Sequence, residues 1–175
     1  MVKSGKKCFF VLHLKRINTT MPHFIGEYEL TIDAKGRFLL PSSFKKQLLE
    51  QEDMQFVVSR GFEQCLNLYP LSEWNILSEK INKLNDFNPK VRDFKRLFLN
   101  GANIVESDSA GRILLTKTLL EHAGISKEIV LTAQGNKMEI WDRATHKAHI
   151  QSKMADFSDL ANEVLGGGFM SPFEN

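Results

Sequence analysis

The chain has little of several features that mark specialised classes of protein. Its 175 residues include only two cysteines, Cys8 and Cys65, which are too few for a disulfide framework and lack the spacing of a zinc site. No apolar run approaches the roughly 20 residues that span a membrane. Hydrophobic residues still make up 42% of the chain and charged residues 25%, which excludes wholesale disorder. We therefore expect a folded cytoplasmic protein with no membrane segment.

The chain also lacks an excess of either charge. Lysine and arginine number 23 and aspartate and glutamate 21, a formal net charge of +2. Five basic residues and no acidic ones fall in residues 1–20, so residues 21–175 hold 18 basic against 21 acidic residues, or −3. This balance excludes a positive field over the whole surface. Any binding of nucleic acid must depend on a few local cations.

Residues 1–20 form a basic leader in which the run CFFVLHL resembles the start of a signal peptide. The run is short, His13 interrupts it, Lys15 and Arg16 follow it, and no small-residue cleavage site comes next. We therefore expect an atypical basic extension, or an upstream start codon ahead of Met21, rather than export.

An internal repeat organises the rest of the chain. The octapeptide DAKGRFLL at residues 33–40 returns as DSAGRILL at residues 108–115, with five of the eight positions identical. After each copy the sequence predicts a short helix, an apolar strand, a glycine and a strand that ends in an aromatic residue. Two copies of one supersecondary unit predict two halves that pack against each other.

Each copy predicts a β-hairpin. Apolar and polar residues alternate over residues 27–32 as in a half-buried strand, and residues 37–40 form the returning strand. Between them, the Asp33 carboxylate can accept backbone N–H groups and Gly36 can supply a positive φ. The matching tip residues of the second copy are Asp108 and Gly111.

The sequence also predicts helix ends and helix faces. Pro41 suits the first helical position after the first hairpin, Thr116 suits the N-cap after the second, and Asp142 can cap a later helix. Apolar residues at three- and four-residue steps predict inward faces for two helices between the copies and one after them. These residues are Leu71, Trp74, Leu77, Ile81 and Leu84, then Val91, Phe94, Leu97 and Phe98, and finally Ile150, Met154 and Phe157.

The repeat and its flanking motifs resemble the MraZ family of bacterial transcription regulators. The resemblance runs from about Met21 to about Leu165 and is carried by FIGEYELTIDAKGRFLLPSSFK, NLYPLSEW, FNPKVRDFKRLFLNGA, ESDSAGRILL and GNKMEIWD, in the family's order. It implies an α+β fold with tandem swapped-hairpin SpoVT–AbrB-type β-barrel halves that form a pseudo-dimer within the chain, with flanking helices. Residues 1–20 are an addition to the usual family pattern.

On this basis we predict five segments. They are an N-terminal extension (1–20), repeat 1 (27–73), connecting helices (74–101), repeat 2 (103–146), and a C-terminal helix with a flexible tail (147–175).

The resemblance also implies a function and its partners. The family's D-x-x-x-R motif falls on Asp33 and Arg37, and again on Asp108 and Arg112. It implies ring-shaped homo-oligomers in the cytoplasm, associated with the nucleoid, that bind double-stranded DNA at short repeated promoter boxes. It further implies repression of the chain's own promoter and of the downstream division and cell-wall gene cluster.

The hairpin tips have the chemistry for DNA binding. Arg37 and Arg112 each offer a planar fork to guanine O6 and N7, and a two-stranded ribbon fits the major groove. The Lys35 ammonium suits contact with phosphate. We therefore predict Arg37, Arg112 and Lys35 as DNA-binding residues.

The two copies differ in charge. Lys45 and Lys46, on the helix after the first hairpin, also suit phosphate contact. The second copy has Ala110 and Leu120 where the first has Lys35 and Lys45. We therefore expect the first half to contact DNA more strongly.

Some of these residues also have purely structural interpretations. Each Asp–Arg pair could be a turn acid with an ion pair that only fixes the hairpin. His146 and His149, near Asp142, have the residue types of a metal site but no further ligand at a suitable spacing, so we predict neither metal nor cofactor. We interpret His122, beside a helix end, as a favourable cation there.

Two other classes of function are alternatives to DNA binding. A ring-shaped scaffold could bind protein partners through the C-terminal helix and tail. A small hydrolase is poorly supported, because no serine or threonine lies in a nucleophile-elbow or phosphate-loop context. We therefore predict that the chain is not an enzyme.

Overall fold

The structure, a computed structural model, describes residues 23–48 and 54–165. The basic leader and the end of the predicted tail lie outside the described residues. Within them the strands are β1 (Glu27–Thr31), β2 (Arg37–Leu39), β3 (Gln55–Arg60), β4 (Cys65–Pro70), β5 (Asn103–Glu106), β6 (Arg112–Leu114), β7 (Glu128–Gln134) and β8 (Lys137–Asp142). The helices are α1 (Ser42–Gln47), α2 (Leu71–Asn82), α3 (Pro89–Leu99), α4 (Lys117–Ala123), α5 (Arg143–Met154) and α6 (Phe157–Leu165).

The strands form two antiparallel sheets that mix the repeats. The larger sheet has the order β1-β7-β8-β4-β3-β5, and β2 pairs with β6 in a separate ribbon. Strand β1 of the first repeat pairs with β7 of the second, with Tyr28 opposite Leu131, and β5 of the second repeat pairs with β3 of the first, with Val105 opposite Phe56. Each repeat thus completes its sheet with a strand of the other.

The α+β class is confirmed, but the barrel implied by the resemblance is not found among the described strands. Strands β1 and β5 are the two edges of the larger sheet, which is therefore open. The ribbon β2–β6 is a sheet of its own and does not join those edges into one closed ladder.

The core lies between the ribbon, helices α1 and α4, and one face of the larger sheet. Phe38 and Ile113, at equivalent repeat positions, point inward from the ribbon and are buried. Phe44 on α1 and Leu119 on α4 are again equivalent positions and are fully enclosed. Burial of each such side chain stabilises the fold by about 1.5–3 kcal/mol. The pairing of the two repeats therefore holds the ribbon in a fixed place.

Several local predictions need correction. Pro41 lies at the N-cap of α1, before its first helical residue. Thr116 is the N-cap of α4, but its hydroxyl bonds the Thr118 hydroxyl and caps no backbone N–H. The prediction for Asp142 is confirmed, because its carboxylate accepts from the backbone N–H groups of Ala144 and Thr145 at the start of α5.

The predicted inward faces of the later helices are largely wrong. Phe94 and Leu97 on α3 are exposed, and no residue of α3 is buried. Ile150, Met154 and Phe157 are exposed too, and the predicted last helix is divided into α5 and α6. The periodicity showed which residues share a face but not that the face would be covered. No described helix is long and apolar enough to cross a membrane.

Candidate nucleic-acid interface

The predicted hairpins need correction: β1 pairs with β7, β2 with β6 and β5 with β3, so the two strands of each hairpin are joined by a turn but are not paired with each other. The turn between β1 and β2, called the first tip, is closed by Asp33. Its Oδ1 accepts from the backbone N–H groups of Lys35 at 2.9 Å and Arg37 at 3.0 Å, and its backbone carbonyl accepts from the Gly36 N–H at 2.9 Å. Its Oδ2 accepts from Arg37 Nε at 2.8 Å and lies 2.6 Å from Arg37 Nη2. One carboxylate therefore shapes the turn with one oxygen and orients the guanidinium with the other.

The second tip repeats this geometry. Asp108 Oδ1 accepts from the N–H groups of Ala110 and Arg112, both at 2.9 Å, and the Asp108 carbonyl accepts from the Gly111 N–H at 2.7 Å. Oδ2 of Asp108 lies 2.8 Å from both Nε and Nη2 of Arg112. The D-x-x-x-R spacing thus builds the same side-on ion pair at both tips.

The ion pairs fix the charge states of their members. The Arg37 side chain, followed by the Arg37 N–H, lowers the pKa of the Asp33 carboxyl to about 2. The pKa of Arg37 is raised, chiefly because its side chain bonds Asp33. The pKa of Asp108 is lowered as well, first by the Arg112 N–H and then by its guanidinium. At neutral pH both carboxylates are therefore charged.

The two tips lie at opposite ends of the β2–β6 ribbon. Arg37 lies opposite Leu114, and Leu39 opposite Arg112. Beyond the ribbon, the Leu115 N–H donates to the Gly36 carbonyl at 2.9 Å, while the Leu40 N–H donates to the Gly111 carbonyl at 3.1 Å. The sequence alone did not determine whether the two arginines lie near each other. In the structure they share one ribbon. They are diagonal neighbours on one short ribbon.

The two faces of the ribbon differ in character. Because side chains alternate along a strand, Arg37, Leu39, Arg112 and Leu114 share the face opposite the core. Leu39 and Leu114 are about half exposed. The ribbon therefore presents two oriented guanidiniums beside two apolar side chains.

Both turn glycines have backbone angles that favour glycine, φ +83° at Gly36 and +77° at Gly111. A Cβ at Gly36 would lie 2.8 Å from the Leu115 carbonyl oxygen, and one at Gly111 would collide with the Lys45 ammonium. Lys45 belongs to α1 of the first repeat but covers the tip of the second. Its counterpart Leu120, on α4, lies beside Gly36 at the first tip.

This crossing changes the charge comparison between the copies. The first tip contains Arg37 and the exposed Lys35. The second tip contains Arg112, and Lys45 of the first repeat lies beside it. Each tip therefore has one arginine and one lysine. The sequence could not show this, because residue 45 is far from residue 111 along the chain. Lys45 thus adds its charge to the second tip, and the expectation of stronger DNA contact by the first half stays a prediction.

Two of the histidines contact the ring of a tryptophan. His146 and His149 lie against the buried Trp141, with ring centroids 5.7 and 5.0 Å from it. The part of the chain that the structure describes contains no group of three side chains able to hold a metal. Burial, reinforced by Arg60, lowers the pKa of His122, which corrects the interpretation of that residue as a favourable cation. Burial raises the pKa of the Cys65 thiol to about 12.

A cavity that no sequence motif indicates lies beside the ribbon. Its volume is about 390 Å³, and Leu39 links it to the exposed face of β2. Arg143 lies within it, 3.1 Å from Glu29 and 3.2 Å from Glu128. These ion pairs join α5 to β1 and β7 and so brace the sheet beneath the ribbon. The only signal in the sequence was a basic residue directly after the Asp142 cap.

The fold and the tips together define a class of protein, one in which a hairpin unit is duplicated in a single chain and the copies complete each other's sheet. The chain belongs to the MraZ family. The family model described as "MraZ protein, putative antitoxin-like" matches it twice, at residues 23–97 and 98–166. The resemblance inferred from the motifs is thus confirmed. The proposed repeat boundaries, 27–73 and 103–146, stay a prediction.

Named relatives agree with this membership. The chain is 46% identical over 147 residues to the transcriptional regulator MraZ of Christiangramia forsetii, which covers 83% of this chain and 95% of the relative. It is 44% identical over 147 residues to the protein of the same name from Flavobacterium psychrophilum, with 83% and 94% covered. It is 39% identical over 145 residues to that of Cytophaga hutchinsonii, with 83% and 96% covered.

Proposed function

We propose that this chain is a transcriptional regulator that binds double-stranded DNA in a sequence-specific manner through the β2–β6 ribbon. The observation that carries the proposal is the pair of Asp–Arg units, Asp33–Arg37 and Asp108–Arg112, built with the same geometry at the two ends of one ribbon whose outer face is exposed. The names of its relatives support the regulatory role.

In this proposal Arg37 and Arg112 contact bases. Each carboxylate takes Nε and Nη2 on one edge of its guanidinium. The other edge, with Nη1 and the second hydrogen of Nη2, is then directed at guanine O6 and N7. Such a bidentate contact discriminates between bases by about 1–3 kcal/mol. Orientation before binding reduces the side-chain entropy lost on contact.

The lysines position the duplex. Lys35 at the first tip and Lys45 over the second are point charges that suit phosphate oxygens on either side of the ribbon. Leu39 and Leu114, between the arginines, can contact thymine methyl groups in the major groove. The ribbon then combines base contacts, phosphate contacts and an apolar strip.

A single chain supplies few cations, and residues 21–175 carry −3 overall. We propose that a ring-shaped homo-oligomer places several ribbons on repeated promoter boxes, which raises apparent affinity through effective concentration. The proposed sites lie upstream of the chain's own gene and of the division and cell-wall cluster. Occupation would repress transcription, in the cytoplasm and at the nucleoid.

The opposing interpretation is that each ion pair only fixes its turn, and exposed pairs of this kind contribute little to stability. A gel-shift assay with DNA from upstream of the gene separates the two. Arg37→Ala and Arg112→Ala should each lose about ten-fold or more in affinity, the loss expected when a bidentate base contact is removed. Lys83→Ala removes one cation from the exposed ion pair between Lys83 and Glu79 at the end of α2. This variant should bind DNA as wild type does.

Circular dichroism confirms that each variant is folded. If both arginine variants shift the DNA as wild type does, the ribbon is not the DNA-binding surface. If the wild type itself fails to shift DNA that carries the boxes, the regulatory proposal falls.

A further inference from the structure

The face of the larger sheet opposite the core carries a row of polar side chains. Glu27 on β1 lies opposite Thr132 on β7, and Thr132 in turn lies opposite Glu139 on β8. Because the adjacent residues Leu131 and Ile140 are buried in the core, alternation along the strands directs this row to the other face. The sheet and the core therefore lie between this row and the β2–β6 ribbon.

Helix α5 packs over part of this face, against β7 and β8, and leaves a cavity of about 210 Å³, the α5 cavity. Among the side chains that line it are Glu27, Glu63, Glu139, Trp141, His146 and Ile150. None of the described residues that line it is a lysine or an arginine. Three carboxylates therefore share a small space with two rings and an aliphatic side chain.

The three carboxylates differ in their partners. Glu139 is buried, and its Oε1 accepts from Lys137 Nζ at 2.8 Å while its Oε2 accepts from Trp141 Nε1 at 3.0 Å. Glu27 and Glu63 are exposed, and neither forms an ion pair with a lysine or arginine of the described chain. Two negative charges at the cavity thus lack a cationic partner there.

His146 points independently to a ligand. Its side chain lines the cavity and the residue is only 9% exposed. Its Nε2 faces Glu27 Oε2 at 3.9 Å, which is beyond hydrogen-bond distance, and its imidazole forms no hydrogen bond within the described residues. Buried polar atoms normally have a partner. A group placed between Glu27 and His146 would supply one to both.

The chemistry of the cavity favours a small organic cation over a metal ion. The described residues include no group of three side chains placed to hold a metal. An ammonium group has three N–H donors and can therefore bond a carboxylate and a neutral imidazole nitrogen together. The volume is below the roughly 300–1,000 Å³ of most ligand pockets, which excludes a large molecule. The walls formed by Trp141 and Ile150 suit a short alkyl chain.

We propose that the α5 cavity binds a short organic dication of the alkyl diamine class. One ammonium donates to the Glu27 carboxylate and to His146 Nε2, with the imidazole proton on Nδ1. The other ammonium donates to Glu63, and the methylene groups cover Ile150. Glu139 holds the Trp141 indole in place between them. This site is independent of the DNA contacts proposed for the ribbon.

Isothermal titration calorimetry of the full chain with 1,4-diaminobutane, in the absence of DNA, tests the site. Wild type should bind one diamine per chain. Glu27→Gln and Glu63→Gln each remove one charge-assisted hydrogen bond at nearly constant size and should weaken binding about ten-fold. His146→Phe keeps a ring against Trp141 but removes Nε2, and it should weaken binding as well.

A matched control removes a carboxylate from the same face of the same strand. Glu29→Gln lies two residues from Glu27 but faces Arg143 at 3.1 Å, and this variant should bind the diamine as wild type does. A matched probe, 1-aminobutane, has one ammonium and should bind about ten-fold more weakly. Circular dichroism verifies the fold of every variant.

Magnesium chloride separates a shaped site from a general attraction of cations to acidic residues. Mg²⁺ has the charge of the diamine but neither its length nor its N–H donors, so it should not displace the diamine at equal concentration. Equal displacement by Mg²⁺ overturns the proposal. So does the absence of binding by wild type, or an unchanged affinity in either Glu27→Gln or Glu63→Gln.

Discussion

The Lys45 ammonium of the first repeat lies over Gly111, the turn glycine of the second. Its counterpart at the other tip is the methyl group of Leu120 beside Gly36. The two repeats therefore pair strands with each other, and each also places a side chain beside the turn glycine of the other. One repeat supplies a cation to the arginine unit of the other.

Exchanging these two side chains should change DNA binding in opposite directions. Lys45→Leu removes a phosphate contact and should reduce the slope of log K against log salt by about 0.9, while Leu120→Lys should increase it by a similar amount. Binding isotherms by fluorescence anisotropy at several salt concentrations measure both. Lys83→Leu, distant from the tips in an exposed pair with Glu79, is the control and should leave the slope unchanged.

Asp33→Asn should reduce specificity more than affinity. The amide cannot hold the Arg37 guanidinium as the carboxylate does at 2.6 and 2.8 Å, so the base contact loses its preset orientation. At the same time one negative charge leaves the tip, which strengthens non-specific attraction to phosphate. Competition with unrelated DNA should show a lower specificity ratio. A variant with an unchanged ratio would indicate that Asp33 only shapes the turn.

The stabilising contribution of the Asp33–Arg37 ion pair should be lost only at very low pH. The folded pKa of Asp33 is about 2, below the unfolded value near 3.9, so its stabilising contribution is complete above about pH 4 and is lost as the pH falls toward 2. Thermal unfolding from pH 2 to 5 should show that wild type is more stable than Asp33→Asn at pH 5. The difference in stability between the two proteins should close at pH 2. A constant gap would contradict the ion pair.

The turn glycines should differ in their tolerance of a methyl group. Both have positive φ, which costs a residue with a Cβ about 1–2 kcal/mol. At Gly111 the added atom meets the flexible end of Lys45, which can move. At Gly36 it meets the fixed carbonyl of Leu115. Chemical denaturation should therefore show a larger loss of unfolding free energy for Gly36→Ala than for Gly111→Ala, and the reverse order would refute this geometry.

His122 should make the folded protein less stable as the solution becomes mildly acidic. Its pKa is lowered by burial and by the nearby Arg60 charge, and its Nε2 is buried with no hydrogen-bond partner among the described residues. The unfolded chain therefore binds the proton more readily, and stability falls as the pH drops below the unfolded value near 6.5. Denaturation at pH 5.5 and 7.5 should show a smaller pH dependence for His122→Gln than for wild type.

Much of the local structure follows from short-range patterns. Alternation over residues 27–32, the acid and glycine at each turn and the Asp142 cap all depend on neighbours a few residues apart, and the structure agrees with each. The prediction for α3 failed because periodicity identifies a shared face and carries no information about a covering element. Phe94 and Leu97 lie together as expected, but on the outside.

The sequence by itself determined the duplication and the side-on ion pair at each tip, because Asp and Arg four residues apart across a tight turn can reach each other without help from the rest of the chain. Only the tertiary structure decided where those tips lie. Pairing of β2 with β6 brings Arg37 and Arg112 onto one ribbon, and packing of α1 against the opposite repeat places Lys45 at Gly111. These contacts join residues about 70 positions apart, which meet because Phe38, Phe44, Ile113 and Leu119 are buried in one shared core.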